Sequence, residues 1–278
     1  MATKVGSPEM IVIRPTKGWA SLRLRELWAY RELILFLVWR DLKVRYKQTV
    51  LGAAWAVIQP LAMALLFTII FVQFAGLPTG GAPPFLFYYT AMLPWNLFAK
   101  GLTEGSNSLV ANQRMITKIY FPRLVLPMST VLAGLVDFGI GLAVLVGLLA
   151  YFGVWPTLAV ASLPVFIPIA ILSSMGIAFW LSAIDARYRD VRYTLPFITQ
   201  IWFFATVAVP ISSVPESLRW IYSLNPMAGV VEGFRWALLG QEWRLDPLVW
   251  LSMAIVVVIF VGGLFYFRRA ERVFADVV

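Results

Sequence analysis

Six long apolar stretches dominate the chain, at residues 50–75, 84–102, 124–152, 158–184, 194–209 and 248–267. A helix needs about 20 apolar residues to cross a hydrocarbon core of about 30 Å, and most of these stretches reach that length. The second and fifth are short or interrupted, by Pro94 and Pro196, so they are expected to kink or lean on neighbours. The pattern predicts an all-α integral membrane protein of six transmembrane helices. It divides the chain into an N-terminal segment, 1–49, and a six-span domain, 50–278.

Three polar-apolar segments do not span. In residues 19–48, Leu24, Leu27, Trp28, Leu35, Val38, Trp39, Leu42 and Tyr46 recur every three or four positions, with Arg25, Arg40, Lys43 and Lys47 off that face. One amphipathic helix, or two, is expected here on the inner leaflet. The apolar run 33–39 is too short to cross. Residues 107–123, NSLVANQRMITKIYFPR, are basic and mildly amphipathic, and Pro122 ends them. They read either as a short rigid helix that docks on a soluble partner or as a plain basic loop. Residues 212–246 hold two short apolar-aromatic stretches, 218–224 and 227–239, separated by Asn225-Pro226. These are expected as two short helices dipping into the outer leaflet, since backbone at that depth must satisfy itself internally.

The charges orient this arrangement. Of 23 Lys and Arg, ten precede position 49, four lie in 100–123, three in 185–193 and three after Phe267. The connections 76–83 and 151–157 hold none, and the three in 211–247 are offset by Glu216, Glu232, Glu242 and Asp246. The positive-inside bias therefore places both termini in the cytoplasm. It also accounts for the net charge of +9 without nucleic acid.

Composition agrees. Hydrophobic residues make up 60% and charged residues 13%, against roughly 25% charged in soluble domains, and the mean hydropathy is +0.80. Residues 1–32 are polar, with no early apolar core, so no signal peptide is expected and insertion relies on the internal spans. The chain has no Cys and no His, which removes disulfides, thiolate chemistry, the commonest metal ligands and the usual neutral-pH acid/base. There is no G-x-x-x-x-G-K-[S/T], G-x-S-x-G or H-E-x-x-H motif. No intrinsic active site and no metal site is expected.

Ionisable groups inside spans are costly and need a reason. Asp137 lies in the third span; Lys100 and Glu104 lie four apart at the inner end of the second. They read as a polar lining or as a structural ion pair between Asp137 and Lys100. The stretch FLFYYTAMLPWNLF (85–98) is denser in aromatics than an interfacial belt requires. Such rings stack on sugar faces, and they equally serve as core.

Several stretches in combination resemble the ABC-2 type permeases that export O-antigen, teichoic acid and capsular polysaccharide. They are RDLKVRYKQTVLGAAWAVIQPL (40–61), LPWNLFAKGL (93–102), NSLVANQRMITKIYFPRLVLP (107–127), YRDVRYTLPFITQIWFFATVAVP (188–210) and NPMAGVVEGFRWALLG (225–240). The resemblance implies a homodimer with two copies of a separate ABC ATPase, which would bind ATP and Mg, leaving no cofactor in this chain. It implies a bacterial inner-membrane location and an undecaprenyl-diphosphate-linked polysaccharide, of O-antigen type, as substrate.

It also implies roles for the non-spanning pieces. Residues 19–48 would be the interface helix, with Arg40, Lys43, Arg45 and Lys47 forming a basic rim for the lipid head group. Residues 107–120 would be the coupling helix on the ATPase, through Asn112, Arg114, Ile116, Lys118 and Tyr120. Residues 213–239 would be paired external gate helices carrying Trp220, Asn225, Pro226, Glu232 and Arg235. Tyr88, Tyr89, Trp95 and Phe98, with Lys100 and Glu104, would line the glycan path. Two other classes stay open at this stage: efflux of small hydrophobic drugs or lipids, and a membrane glycan enzyme or flippase needing no ATPase.

Overall fold

The computed structural model describes residues 24–47, 54–155, 157–188, 190–240 and 247–271. The expected helix start at 19–23, the entry to the first span at 48–53, and the tail from 272 lie outside the described residues. Every regular element among the described residues is helical.

Two helices precede the spans, α1 (Leu24–Ala29) and α2 (Arg31–Lys47). Then come α3 (Ala54–Phe67), α4 (Pro84–Lys100), α5 (Ser106–Ala111) and α6 (Gln113–Ile116). The long α7 (Val125–Tyr151), α8 (Leu163–Asp185) and α9 (Val191–Phe203) follow. The short pair expected at the external face is α10 (Glu216–Ser223) and α11 (Ala228–Leu239), followed by the long α12 (Pro247–Ala270). Pro84 starts α4 at a position where its missing N–H costs nothing. Gly240, at φ 65°, ends α11 in the left-handed conformation that a Cβ disfavours.

Among the described residues, four segments are long and apolar enough to cross a membrane: Ala54–Phe74, Val125–Tyr151, Leu158–Asp185 and Val249–Ala270. The expected second and fifth spans are helical too, but less apolar. For α4 the reason is its position. It is buried along almost its whole length, packed against α3, α7, α8 and α11, so its aromatic and polar groups meet protein rather than lipid.

Three of the helices widen into π turns, at Thr68–Phe74 after α3, Gly101–Gly105 after α4 and Phe204–Ala208 after α9. Each of these helices carries an internal proline, Pro60, Pro94 or Pro196, that removes a backbone hydrogen bond. The π turn after α4 is also a packing device. A Cβ on Gly101 would stand 2.4 Å from Ser174 Oγ, and one on Gly105 would stand 2.7 Å from the Ala178 Cβ. Small residues four apart on both helices bring the backbones into contact, the way apolar-solvated helices associate.

The N-terminal helix differs from its expected pattern. Leu37 points into the protein, whereas Leu35, Phe36, Trp39 and Val44 are exposed. The apolar side of α2 therefore faces outward, and its polar residues reach inward to α7 and to the chain after α4.

Candidate functional site

Three polar constellations stand out, one around Asp137 at the end of the bundle where α2 packs, one at the turn around Asn112, and one around Arg235 at the opposite end. The first two lie toward the end expected to be cytoplasmic and the third at the end expected to be external.

The inner one gathers around Asp137 of α7. Arg45 Nη1 lies 2.6 Å from Asp137 Oδ2, while its Nη2 lies 2.5 Å from Glu104 Oε2. Lys100 forms an ion pair with Asp137, and the Tyr46 hydroxyl donates a hydrogen bond to the same carboxylate. Burial pushes the Tyr46 phenol up, with Arg45 pulling it the other way, so Tyr46 acts as a neutral donor. The cost of an acid at this depth is thus met by three donors from two other elements. Both expected roles of Lys100 and Glu104 are visible: the Asp137–Lys100 pair forms, and the groups also line a cavity. That cavity, of about 390 Å³, is walled by α2, α3, α4 and α7, with Trp55, Gln59 and Asn96 on its sides.

The proposed lipid-facing rim divides accordingly. Arg45 is turned inward, and Arg40 donates to Asp41 Oδ1 at 2.8 Å and to the Asn112 side-chain Oδ1 at 3.0 Å. Lys43 lies outside, its ammonium 4.4 Å from the Trp39 ring, and Lys47 is exposed. Sequence reasoning missed Arg45 and Tyr46 as partners of Asp137. Their spacing placed them on a surface helix, and only the packing of α2 on α7 brings them to it.

At the turn expected to be cytoplasmic, the rigid helix expected over 107–120 is two pieces. Its first part, up to Ala111, runs on from α4 through the π turn; the backbone breaks at Asn112, and α6 adds a single turn. Asn112 holds the break by donating to Ser108 O at 2.8 Å while accepting from Arg40. Arg114, Lys118, Ile119 and Tyr120 are exposed there, and Ile116 is partly buried. Residues 116–121 and Arg123 surround a shallow hollow of about 220 Å³.

The outer constellation is sealed. Arg235 is fully buried; it pairs with Glu232 at 2.9 Å, donates to Val207 O at 2.8 Å and lies 3.7 Å from the centre of the Phe87 ring. Glu232 also accepts from the Ile211 N–H at 3.3 Å. Asn225 accepts from Trp202 Nε1 at 2.9 Å and donates to Thr206 Oγ1 at 2.7 Å. Tyr222, its phenol pushed up by burial and then by Glu232, donates to Val209 O at 2.9 Å. These bonds pin α10 and α11 to the π turn after α9. The two external helices were expected to dip into lipid, but α11 packs between α4 and α12, and Pro226 is buried. Only α10 keeps an exposed apolar side, with Leu218, Trp220 and Ile221.

The aromatics expected along the glycan path are internal in this chain. Tyr88, Tyr89 and Phe98 are fully buried and Trp95 nearly so. Tyr89 donates to Gly141 O, and Phe98 meets Trp202 with ring centres 5.0 Å apart. Tyr88 packs edge-on to Phe67. Within one chain they are core, and no open lumen touches them, because α3, α9 and α11 cover the helix that carries them.

A buried polar-aromatic helix inside apolar ones, four of them long enough to span among the described residues, with ion clusters at both ends, defines a helical bundle of the polytopic membrane class. Residues 32–239 match the family model described as ABC-2 type transporter, and the chain belongs to that family. It is 32% identical over 260 residues to the O-antigen export system permease protein RfbA of Myxococcus xanthus, covering 90% of this chain and 96% of that one. It is 27% identical over 252 residues to the protein of the same name from Klebsiella pneumoniae, covering 88% and 95%. The polysialic acid transport protein KpsM of Escherichia coli is 27% identical over 249 residues, covering 85% and 92%.

Proposed function

We propose that this chain is the membrane-spanning permease subunit of an ATP-driven exporter. It would move an undecaprenyl-diphosphate-linked polysaccharide of O-antigen type out of the cytoplasm across the bacterial inner membrane. The observation that carries the reading is near full-length similarity to proteins named for O-antigen export. The missing P-loop then means that nucleotide chemistry belongs to a partner. Two copies of this chain, each with six spans and cytoplasmic termini, would pair with two copies of an ABC ATPase that binds ATP and Mg. This chain itself would catalyse nothing.

In this reading the ATPase contacts the turn after the Asn112 break through Arg114, Ile116, Lys118 and Tyr120. Exposed Ile119 and Tyr120 on a cytoplasmic turn otherwise lack a cover. The glycan runs between the two copies, along surfaces backed by Tyr88, Tyr89, Trp95 and Phe98 rather than against those rings. The exposed apolar sides of α3 and α9, including Leu65, Phe197 and Ile201, would flank it. Lys43 and Lys47 keep the rim role for the lipid diphosphate, while Arg40 and Arg45 hold the helix that carries them. The α10–α11 pair, fixed through Asn225, Glu232 and Arg235, guards the external mouth with Trp220 at its surface.

The test uses a strain lacking the gene, complemented with variants and scored for surface glycan. Wild type restores the glycan. Ile116→Asp with Tyr120→Asp abolishes it and loses co-purification of the ATPase, with membrane insertion unchanged. Normal export by the double variant overturns the coupling role, and unchanged surface glycan in the deletion strain overturns the exporter.

A further inference from the structure

We propose that the inner cavity between α2, α3, α4 and α7 is a binding site for the head group of a zwitterionic, amine-bearing phospholipid of the inner leaflet. This is a resident lipid, not the exported one, and the inference depends only on the chain lying in a membrane.

The cavity is built for a polar occupant. Its walls hold Arg45 and Lys100 opposite Glu104 and Asp137, two cations and two acids. They also hold the side-chain amides of Gln59 and Asn96, which make no hydrogen bond to any described residue and are exposed at its edges. An amide facing acyl chains is costly unless something polar meets it. The remaining walls, Leu93, Leu97 and Phe138, are apolar, which suits the glycerol end of a lipid. Gly134 makes part of the room, since a Cβ there would lie 3.2 Å from both Leu97 and Lys100 side chains.

The charge balance selects the class. A purely anionic head entering a site of zero net charge would have to leave Glu104 or Asp137 without its cation. A zwitterion avoids this: its phosphate accepts from Arg45 and Lys100 while its ammonium donates to Glu104, so every charge keeps a partner. Arg45 and Glu104 are the reachable pair, with side chains 29% and 43% exposed. A primary ammonium offers three N–H donors to the carboxylate, and a trimethylated one offers none. The position fits a membrane lipid, because α2, which lines the cavity through Arg45 and Tyr46, exposes the apolar side chains of Leu35, Phe36, Trp39 and Val44.

The full-length chain, purified in mild detergent from mixed vesicles, is examined by native mass spectrometry. The vesicles hold equal amounts of phosphatidylethanolamine, phosphatidylcholine and phosphatidylglycerol, with a polyprenyl diphosphate added. Retention of one phosphatidylethanolamine per chain is expected, about tenfold above phosphatidylglycerol. Glu104→Gln, which removes the ammonium's partner, should reduce that retention at least to the phosphatidylglycerol level. Gln59→Leu leaves all four charges in place and fills the wall, so it should also lose the lipid while folding normally. Equal retention of the three phospholipids, preference for an anionic one or for the diphosphate, or wild-type retention by folded Gln59→Leu would each overturn the proposal.

Discussion

The two ends of the bundle bury charge in opposite ways. At the outer end Arg235 and Glu232 are three residues apart on one short helix, and the arginine has no exposed surface. Its hydrogens go to a carboxylate and to a backbone carbonyl of the neighbouring π turn, and Phe87 covers the guanidinium face. At the inner end Arg45, Lys100, Glu104 and Asp137 come from three separate elements and keep contact with a cavity. A sealed pair has no water to fall back on when one member is lost; an open cluster does. The first fixes geometry, and the second leaves a place where something can enter or where helices can shift.

Breaking the outer pair should therefore cost most. Arg235→Met removes a fully buried cation and leaves Glu232, 15% exposed, without its partner, a loss of up to about 3–5 kcal/mol. The expected result is little protein surviving a thermal challenge in detergent, with partial recovery when Glu232→Gln is added. If Arg235→Met alone is as heat-resistant as wild type, the outer end is not sealed as described.

The inner cluster should yield less. Asp137→Asn removes the negative charge shared by Arg45 and Lys100 and replaces one acceptor oxygen by an amide donor, yet the cavity lets water or a head group take over. A destabilisation of about 1–3 kcal/mol is expected. Limited proteolysis should show α2 released from α7 before the rest of the bundle opens. A loss as large as that of Arg235→Met would erase the contrast between the two ends.

The smallest effect belongs to the outward side of α2. Lys43→Ala removes a cation–π contact with Trp39 at an exposed site, where such contacts are worth about 0.5–1 kcal/mol. Thermal stability should stay near wild type, so any loss of surface glycan in this variant reports the lipid rim rather than the fold.

Much of this was legible in the residue order, and the missing part has a common cause. Span positions follow from hydropathy alone, because lipid accepts only apolar helix, and residues 125–151 and 163–185 lie close to the predicted stretches. The break at Asn225-Pro226 and the two short helices around it were equally visible. What hydropathy cannot distinguish is a face turned to lipid from a face turned to protein when both are apolar. Hence hydropathy did not show that Tyr88, Tyr89, Trp95 and Phe98 are buried within one chain. The helix expected over 107–120 failed for another reason. Its first half continues the span above it, and Asn112 ends that run through side-chain bonds that periodicity does not report.

By itself, then, the sequence determined that this is a chain of apolar helices long enough to span a membrane, with Lys and Arg concentrated in alternate connections. Those properties depend on composition and local spacing, which act whatever the tertiary arrangement. Only the tertiary structure decided that Arg45 meets Asp137, that Arg235 is locked under Phe87, and that a charge-balanced cavity lies between α2 and the spans. The first two join residues 92 and 148 positions apart, and the third is a void shared by several helices. They arise because the close approach of Gly101 and Gly105 to α8, and the packing of α2 on α7, fix where each helix sits.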